Sequence, residues 1–151
     1  MSRLLGIDLG DRRIGLAVGG TDGGLARGLA TVMRGTLGDD ATALAHVVTE
    51  QRIDELVVGL PLLPSGDEGE QAQAARAWAA EIARRLGRPV VMQDERFTSR
   101  AAETTVGAAH RRHDGGPPGR AARSAQRAAV DREAARRILQ AALDTGPGVR
   151  R

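Results

Sequence analysis

Three acidic residues stand in stretches that are otherwise apolar. Asp8 ends the apolar run 4–7, and Glu95 follows Asp94 at the end of a second apolar run, 90–92. Asp131 lies within a long stretch of helical periodicity near the carboxyl end. A buried carboxylate is costly unless a cation or hydrogen bonds compensate it. These three positions are therefore the first candidates for chemistry.

Helix geometry places Asp131 on the apolar side of its segment. At about 100° per residue it lies about 20° from Ile138 and Ala142, so it should face the core. Each acid also has a purely structural interpretation. Asp131 could pair with Arg127 one turn earlier. Asp8 could form a turn, since Asp-x-Gly is common in turns, and Asp94 could cap a following helix.

Taken together, the acids indicate a metal site. Hard oxygen ligands without histidine or cysteine suit Mg²⁺ or Mn²⁺. Two such ions can activate a water and stabilise a leaving oxygen in phosphodiester cleavage. The hypothesis requires the strands that carry Asp8 and Glu95 to approach each other, with the helix that carries Asp131 lying across them.

The basic residues indicate a polyanionic partner. All 22 basic residues are arginine, and the stretch from His110 to Arg127 holds five arginines and two histidines against one acid. Such a segment is an electrostatic footprint for nucleic acid, although a solvated arginine-rich loop is an equally good interpretation of composition alone. We expect a mobile basic loop at about 110–123 and a frayed tail at 146–151.

The elements that must position these residues follow from periodicity and turn signals. Strands are predicted over 3–8, 14–19, 25–33, 55–59 and 90–92, and helices over 39–52, 68–86, 98–109 and 124–145. The helix caps are expected at Asp39 or Asp40, at Thr98 or Ser99, and at Ser124. This order predicts an α/β fold: a five-stranded mixed sheet, made of a three-strand antiparallel meander plus two parallel strands, with helices on both faces.

Length and composition bound the remaining possibilities. The 151 residues suit one domain, and a 41% apolar content with 1% aromatics implies a core of aliphatic side chains, in which Trp78 is an anchor rather than a base-stacking platform. Cysteine is absent, which excludes disulfides and thiolate chemistry. We find no apolar run long enough for a membrane span and no secretory signal, so we expect a cytoplasmic protein without a membrane partner.

Four motifs carry a family resemblance. They are GIDLGDRRIGLA (6–17), VVGLP (57–61), DERFTS (94–99) and VDREAA (130–135). In this order they resemble the YqgF family, also called the Holliday-junction-resolvase-like or pre-16S rRNA nuclease family. The resemblance implies an RNase H-like fold and a Mg²⁺-dependent nuclease that matures the 5′ end of 16S ribosomal RNA in the cytoplasm.

The resemblance also assigns roles to residues. Asp8, Glu95 and Asp131 match the acidic triad, which implies catalytic and metal-binding roles. Arg13 and Arg96 match motif arginines and are predicted to bind substrate, and Arg96 could steady either Glu95 or the scissile phosphate. Backbone phosphates would be bound by four loop arginines, Arg111, Arg112, Arg120 and Arg123. The chain departs from the family at Gly19–Asp22, where relatives usually have Ser-Asp, and in carrying arginines where relatives often have lysines.

Other functions stay open from the sequence. The same acids could serve a four-way DNA junction resolvase. For either substrate we expect a monomer or weak homodimer, and with pre-rRNA as substrate ribosomal precursor particles are a further expected partner. A non-catalytic nucleic-acid-binding regulator would keep the arginines without turnover. An actin-like ATPase or sugar kinase also opens with Asp-x-Gly before a hairpin, but we see no second glycine-rich phosphate loop.

Overall fold

A mixed five-stranded sheet forms the centre of the protein. The computed structural model describes residues 2–95 and 119–145. The strands are β1 (Arg3–Leu9), β2 (Arg13–Gly20), β3 (Ala26–Met33), β4 (Glu55–Leu60) and β5 (Val90–Asp94); the helices are α1 (Leu37–Gln51), α2 (Glu70–Leu86) and α3 (Arg120–Thr145). The helix predicted over 98–109 lies outside the described residues. No helix within 2–95 and 119–145 has the length and apolar character to cross a membrane.

The strand order brings the carboxyl ends of three parallel strands to one edge of the sheet. The sheet runs β3-β2-β1-β4-β5. β1, β2 and β3 pair antiparallel, whereas β4 lies parallel between β1 and β5. The predicted meander and the two crossover strands are therefore confirmed. The carboxyl ends of β1, β4 and β5 meet at one edge, where ligands bind in open α/β sheets.

The alternation of side chains along β1 divides the core into two layers. Leu5 and Ile7 join the cluster under α1 and α2, which also contains Trp78. Leu4 faces α3 and packs in a second cluster with Ile138 and other residues of that helix. Asp8 has the same parity as Leu4, so it belongs to the α3 side at the end of the strand. Trp78 is only 7% exposed, which confirms it as a core anchor.

The start of α1 differs from the prediction. Thr36 is the N-cap, in a reciprocal capping box with Asp39, so neither Asp39 nor Asp40 caps the helix. Asp40 instead turns inward and is 2% exposed, with its carboxylate accepting a hydrogen bond from Trp78 Nε1 at 3.1 Å. The partner of Asp40 is therefore a tryptophan 38 residues away and not the start of its own helix.

The start of α3 also differs. The helix begins at Arg120, so the predicted loop through 123 and the predicted cap at Ser124 are wrong. Alanine and arginine are strong helix formers, and the stretch 120–123 contains nothing else. The prediction gave too much weight to Ser124 as a cap. The stretches 110–118 and 146–151 lie outside the described residues.

Candidate active site

A cleft at the carboxyl edge of the sheet gathers the predicted acids. Asp8 comes one residue before the end of β1, and Glu95 follows β5 directly. With Asp131 of α3 they line a cavity of about 340 Å³. Asp11 and Arg34 also line the cavity, together with Gln71, Ala74 and Ala75 of α2. The structure therefore places Asp8, Glu95 and Asp131 around one opening, as the sequence predicts.

Gly59 explains how Glu95 reaches Asp8 although β4 lies between their strands. A Cβ atom added at Gly59 would overlap the Glu95 carboxylate and would lie 2.6 Å from Ile138 Cδ1. Glu95 is held there partly by its backbone N–H, which donates to the Leu60 carbonyl at 3.3 Å. The missing side chain at Gly59 thus leaves the space across β4 that the glutamate occupies.

Gly15 does the same for Asp131. In the β1–β2 ladder Gly15 is the partner of Asp8. A Cβ atom added there would overlap the backbone carbonyl of Asp131 and lie 3.1 Å from its Cβ. Helix α3 therefore rests directly on β2 at the residue opposite Asp8. The sequence alone did not predict a role for Gly15 or Gly59, because their roles depend on tertiary contacts with Asp131 and Glu95.

The hydrogen-bonded partner of Asp131 is Arg13. Its Nε donates to Asp131 Oδ2 at 2.6 Å, and the two side chains are 27% and 19% exposed. The ion pair joins β2 to α3 and does not involve Arg127 of the same helix. The alternative interpretation of Asp131, as the partner of Arg127, was therefore wrong about the partner. Substrate binding by Arg13 stays a prediction, since its guanidinium is engaged by Asp131.

Burial, and to a lesser degree neighbouring negative charge, raises the pKa of two carboxylates in the cleft. Burial and, to a lesser degree, the charge of Asp131 raise the pKa of Asp8 from 3.8 to about 6. Burial, followed by the charges of Asp8 and Asp94, raises the pKa of Glu95 from 4.5 to about 7. Desolvation and like charges both disfavour ionisation. A cation held between these groups would relieve both effects.

These observations fit a divalent cation in part. Oxygen donors with raised pKa values are the chemistry that Mg²⁺ or Mn²⁺ would compensate. Across 2–95 and 119–145, however, no group of three or more acidic or histidine side chains already stands in metal-binding geometry. Arg13 occupies the Asp131 carboxylate, which accounts for one missing ligand. Asp8 and Glu95 are therefore the residues that would hold the ion first.

Arg34 is a cleft residue that the sequence analysis missed. Its Nη1 donates to the Gly10 carbonyl at 2.9 Å, and its Nε lies 3.9 Å from the buried Asp40 carboxylate. Asp40 also accepts from the backbone N–H of Gly35 at 2.9 Å. Arg34 thus connects the core under Trp78 to the β1–β2 turn. An aspartate on the buried face of α1 was the sequence signal for this network.

The predicted phosphate-binding arginines fall into two groups. Arg120 and Arg123 lie on the exposed first turn of α3. Arg96, Arg111 and Arg112 lie outside the described residues, so their roles stay predictions.

Sheet order, flanking helices and the acidic edge define the class as an RNase H-like α/β protein. A solved structure of T. thermophilus RuvC in complex with a Holliday junction substrate has the same fold, with a TM-score of 0.59 at 17% identity, covering 100% of this chain and 99% of that one.

The chain belongs to the family described as "RuvX: Holliday junction resolvase", whose model matches residues 2–145. It is 43% identical over 142 residues to "Putative pre-16S rRNA nuclease" of Anaeromyxobacter sp. (strain K), covering 94% of this chain and 96% of that protein. The similarly named protein of Myxococcus xanthus (strain DK1622) is 39% identical, with 94% and 87% covered. The resemblance drawn from the four motifs is confirmed.

Proposed function

We propose that this protein is a divalent-metal-dependent endonuclease that cleaves phosphodiester bonds in the 5′ region of pre-16S rRNA. One observation carries the proposal: Asp8 and Glu95, from strands that do not touch, share a cleft in which each has a strongly raised pKa. Membership of a nuclease family supports the reaction class. The names of its relatives favour the ribosomal precursor as substrate.

The cleft residues would have two kinds of role, binding the metal and positioning its ligands. Asp8 and Glu95 would hold the Mg²⁺ or Mn²⁺, and Asp131 would complete the ligand set. When bound, such ions activate a water and stabilise the departing oxygen. Arg13 holds the Asp131 carboxylate, and Arg34 holds the backbone of the β1–β2 turn beside Asp8. The protein would act in the cytoplasm during ribosome biogenesis, on precursor particles, as a monomer or weak homodimer.

A four-way DNA junction is the second candidate substrate. It is favoured by the family description, which names a Holliday junction resolvase, and both substrates present phosphodiesters to the same cleft. The two functions differ in which nucleic acid is cut, so one experiment separates them.

The test incubates the protein with a pre-16S rRNA fragment and with a four-way DNA junction, each with Mg²⁺ or with EDTA. We expect Mg²⁺-dependent cleavage of the RNA at a defined position. The cleavage rate of Asp8→Asn should fall by more than roughly 100-fold. That is the loss seen when a residue that only hydrogen-bonds to a metal ligand is removed, and Asp8 would bind the metal itself. Asp22→Asn, an exposed aspartate in the β2–β3 turn, is the matched control and should cut normally.

Each outcome assigns a function. Cleavage of the junction alone would replace the ribosomal substrate with branched DNA. Binding without cleavage would favour a non-catalytic regulator. Full activity in Asp8→Asn would remove Asp8 from the mechanism and overturn the metal site proposed here.

A further inference from the structure

A second cavity adjoins the acidic cleft and has the opposite character. It measures about 470 Å³ and is lined by Gly10, Asp11, Arg12, Arg13, Arg127 and Asp131. It shares Gly10, Asp11 and Asp131 with the cleft, so the two cavities lie side by side. We call this second cavity the arginine pocket. Arg12 and Arg127 line the arginine pocket and do not line the acidic cleft.

We propose that the arginine pocket binds a backbone phosphate of the nucleic acid next to the bond that is cleaved, with Arg12 and Arg127 as its ligands. The inference rests on the proposed nuclease function and adds to it a named subsite. Guanidinium groups suit this role because they bind phosphate oxygens through two parallel hydrogen bonds.

The charges in the pocket favour an anion. Arg13 is paired with Asp131, so these two largely neutralise each other. Arg12 and Arg127 then outnumber the single remaining acid, Asp11. In the acidic cleft the balance is reversed, because three acids besides Asp131 face the one arginine, Arg34. A phosphodiester chain crossing both cavities would meet a cation-binding site and then an anion-binding site.

Helix α3 extends the basic surface away from the cleft. Arg120, Arg123, Arg127 and Asp131 fall within an arc of about 80° when each residue turns the helix by about 100°. Arg120 and Arg127 are separated by about 10 Å along the helix axis. All three arginines are exposed. The three arginines therefore form a line along one face of the helix that ends at Asp131, which borders both cavities. This line indicates the path of the bound strand.

The experiment measures binding in a background that cannot cut. In Asp8→Asn protein, we compare Arg12→Gln/Arg127→Gln with Arg84→Gln/Arg85→Gln. The control pair loses the same charge from α2, where both arginines bind Glu81 away from either cavity. Fluorescence anisotropy with a labelled single-stranded pre-16S RNA and a labelled four-way DNA junction gives the dissociation constant at several salt concentrations.

We expect the pocket variant to bind the RNA about tenfold more weakly, while the plot of log K against log salt becomes less steep by about 0.7, as for one lost phosphate contact on a single strand. The control variant should change neither quantity. Both pocket arginines are exposed, so melting temperatures should stay close to the parent's.

Equal losses in both variants, or none in the pocket variant, would overturn the subsite. A loss confined to the junction would assign the pocket to branched DNA instead of the RNA. The proposed function fails separately, through absence of Mg²⁺-dependent cleavage by the unmodified protein, because binding here is measured without cleavage.

Discussion

The acidic cleft and the arginine pocket share a wall, yet they are built in different ways. The cleft acids are placed by close backbone packing, since Glu95 lies over Gly59 and the backbone of Asp131 lies on Gly15. The pocket is built from long side chains on an exposed turn and an exposed helix end. This difference predicts that changes in the cleft alter chemistry, whereas changes in the pocket alter binding.

The two cavities also differ in what their charges cost. The carboxylates of Asp8 and Glu95 are largely withdrawn from water and repel each other, which their raised pKa values record. Arg12 and Arg127 are exposed and remain solvated until a ligand arrives. The cleft therefore holds buried, like-charged carboxylates whose unfavourable energy a divalent cation can offset. The solvated arginines of the pocket carry no such energetic cost.

The largest expected effect comes from filling the space that Glu95 uses. Gly59→Ala places a methyl group against the Glu95 carboxylate and Ile138. We expect cleavage to fall about 100-fold, as for a catalytic group displaced by about 1 Å. The free energy of unfolding should fall by about 1 to 3 kcal/mol from overpacking.

Gly23→Ala is the control for that change, because a Cβ there meets no atom within 4 Å. Single-turnover cleavage and urea denaturation measure both effects. If Gly59→Ala cuts as fast as the unmodified protein, Glu95 does not act from the position described.

A smaller effect is expected in the pH dependence of stability without metal. The folded-state pKa values of Asp8 and Glu95 are raised to about 6 and about 7, so the folded protein binds these protons more tightly than the unfolded chain. This stabilisation is complete at low pH and is lost as the pH rises through 6 and 7. In EDTA the free energy of unfolding should fall by on the order of 4 kcal/mol between pH 5 and pH 8.

The window is chosen to isolate these two groups. Glu81 and Glu133 have lowered pKa values through their arginine partners, so their contributions are lost below about pH 4.5. Asp8→Asn should flatten the profile, and Mg²⁺ should restore stability at pH 8. A stability that rises from pH 5 to pH 8 in EDTA would show that folding does not raise the pKa values of these two carboxylates.

The smallest effect concerns the wall between the two cavities. Arg13→Gln removes the cation bonded to Asp131, and we expect the free energy of unfolding to fall by about 1 to 2 kcal/mol, as for a charged hydrogen bond. Arg84→Gln, in an exposed pair with Glu81, should lower stability much less, because exposed ion pairs contribute little. Equal costs in chemical denaturation would mean that the Arg13–Asp131 pair is no more than a surface contact.

The sequence predicted most of the sheet and the three acids because their signals are local. Apolar runs bounded by turns gave the strands, and helical periodicity placed Asp131 toward the core. The partner of Asp131 was not predictable in the same way, because Arg13 is 118 residues away and meets it only when α3 packs on β2. The cap at Thr36 was missed although its signal is local, since Thr36 and Asp39 three residues later form a capping box. The burial of Asp40 was not predictable in this way, because its partner Trp78 is 38 residues away.

The most direct test of the account is anomalous diffraction from crystals of the unmodified protein grown with Mn²⁺. We predict an anomalous peak in the cleft within ligand distance of the Asp8 and Glu95 carboxylates, and none there in crystals of Asp8→Asn. A cleft that stays empty in Mn²⁺-saturated crystals, or a peak bound only outside it, would contradict the claim that these acids gather to hold a divalent cation.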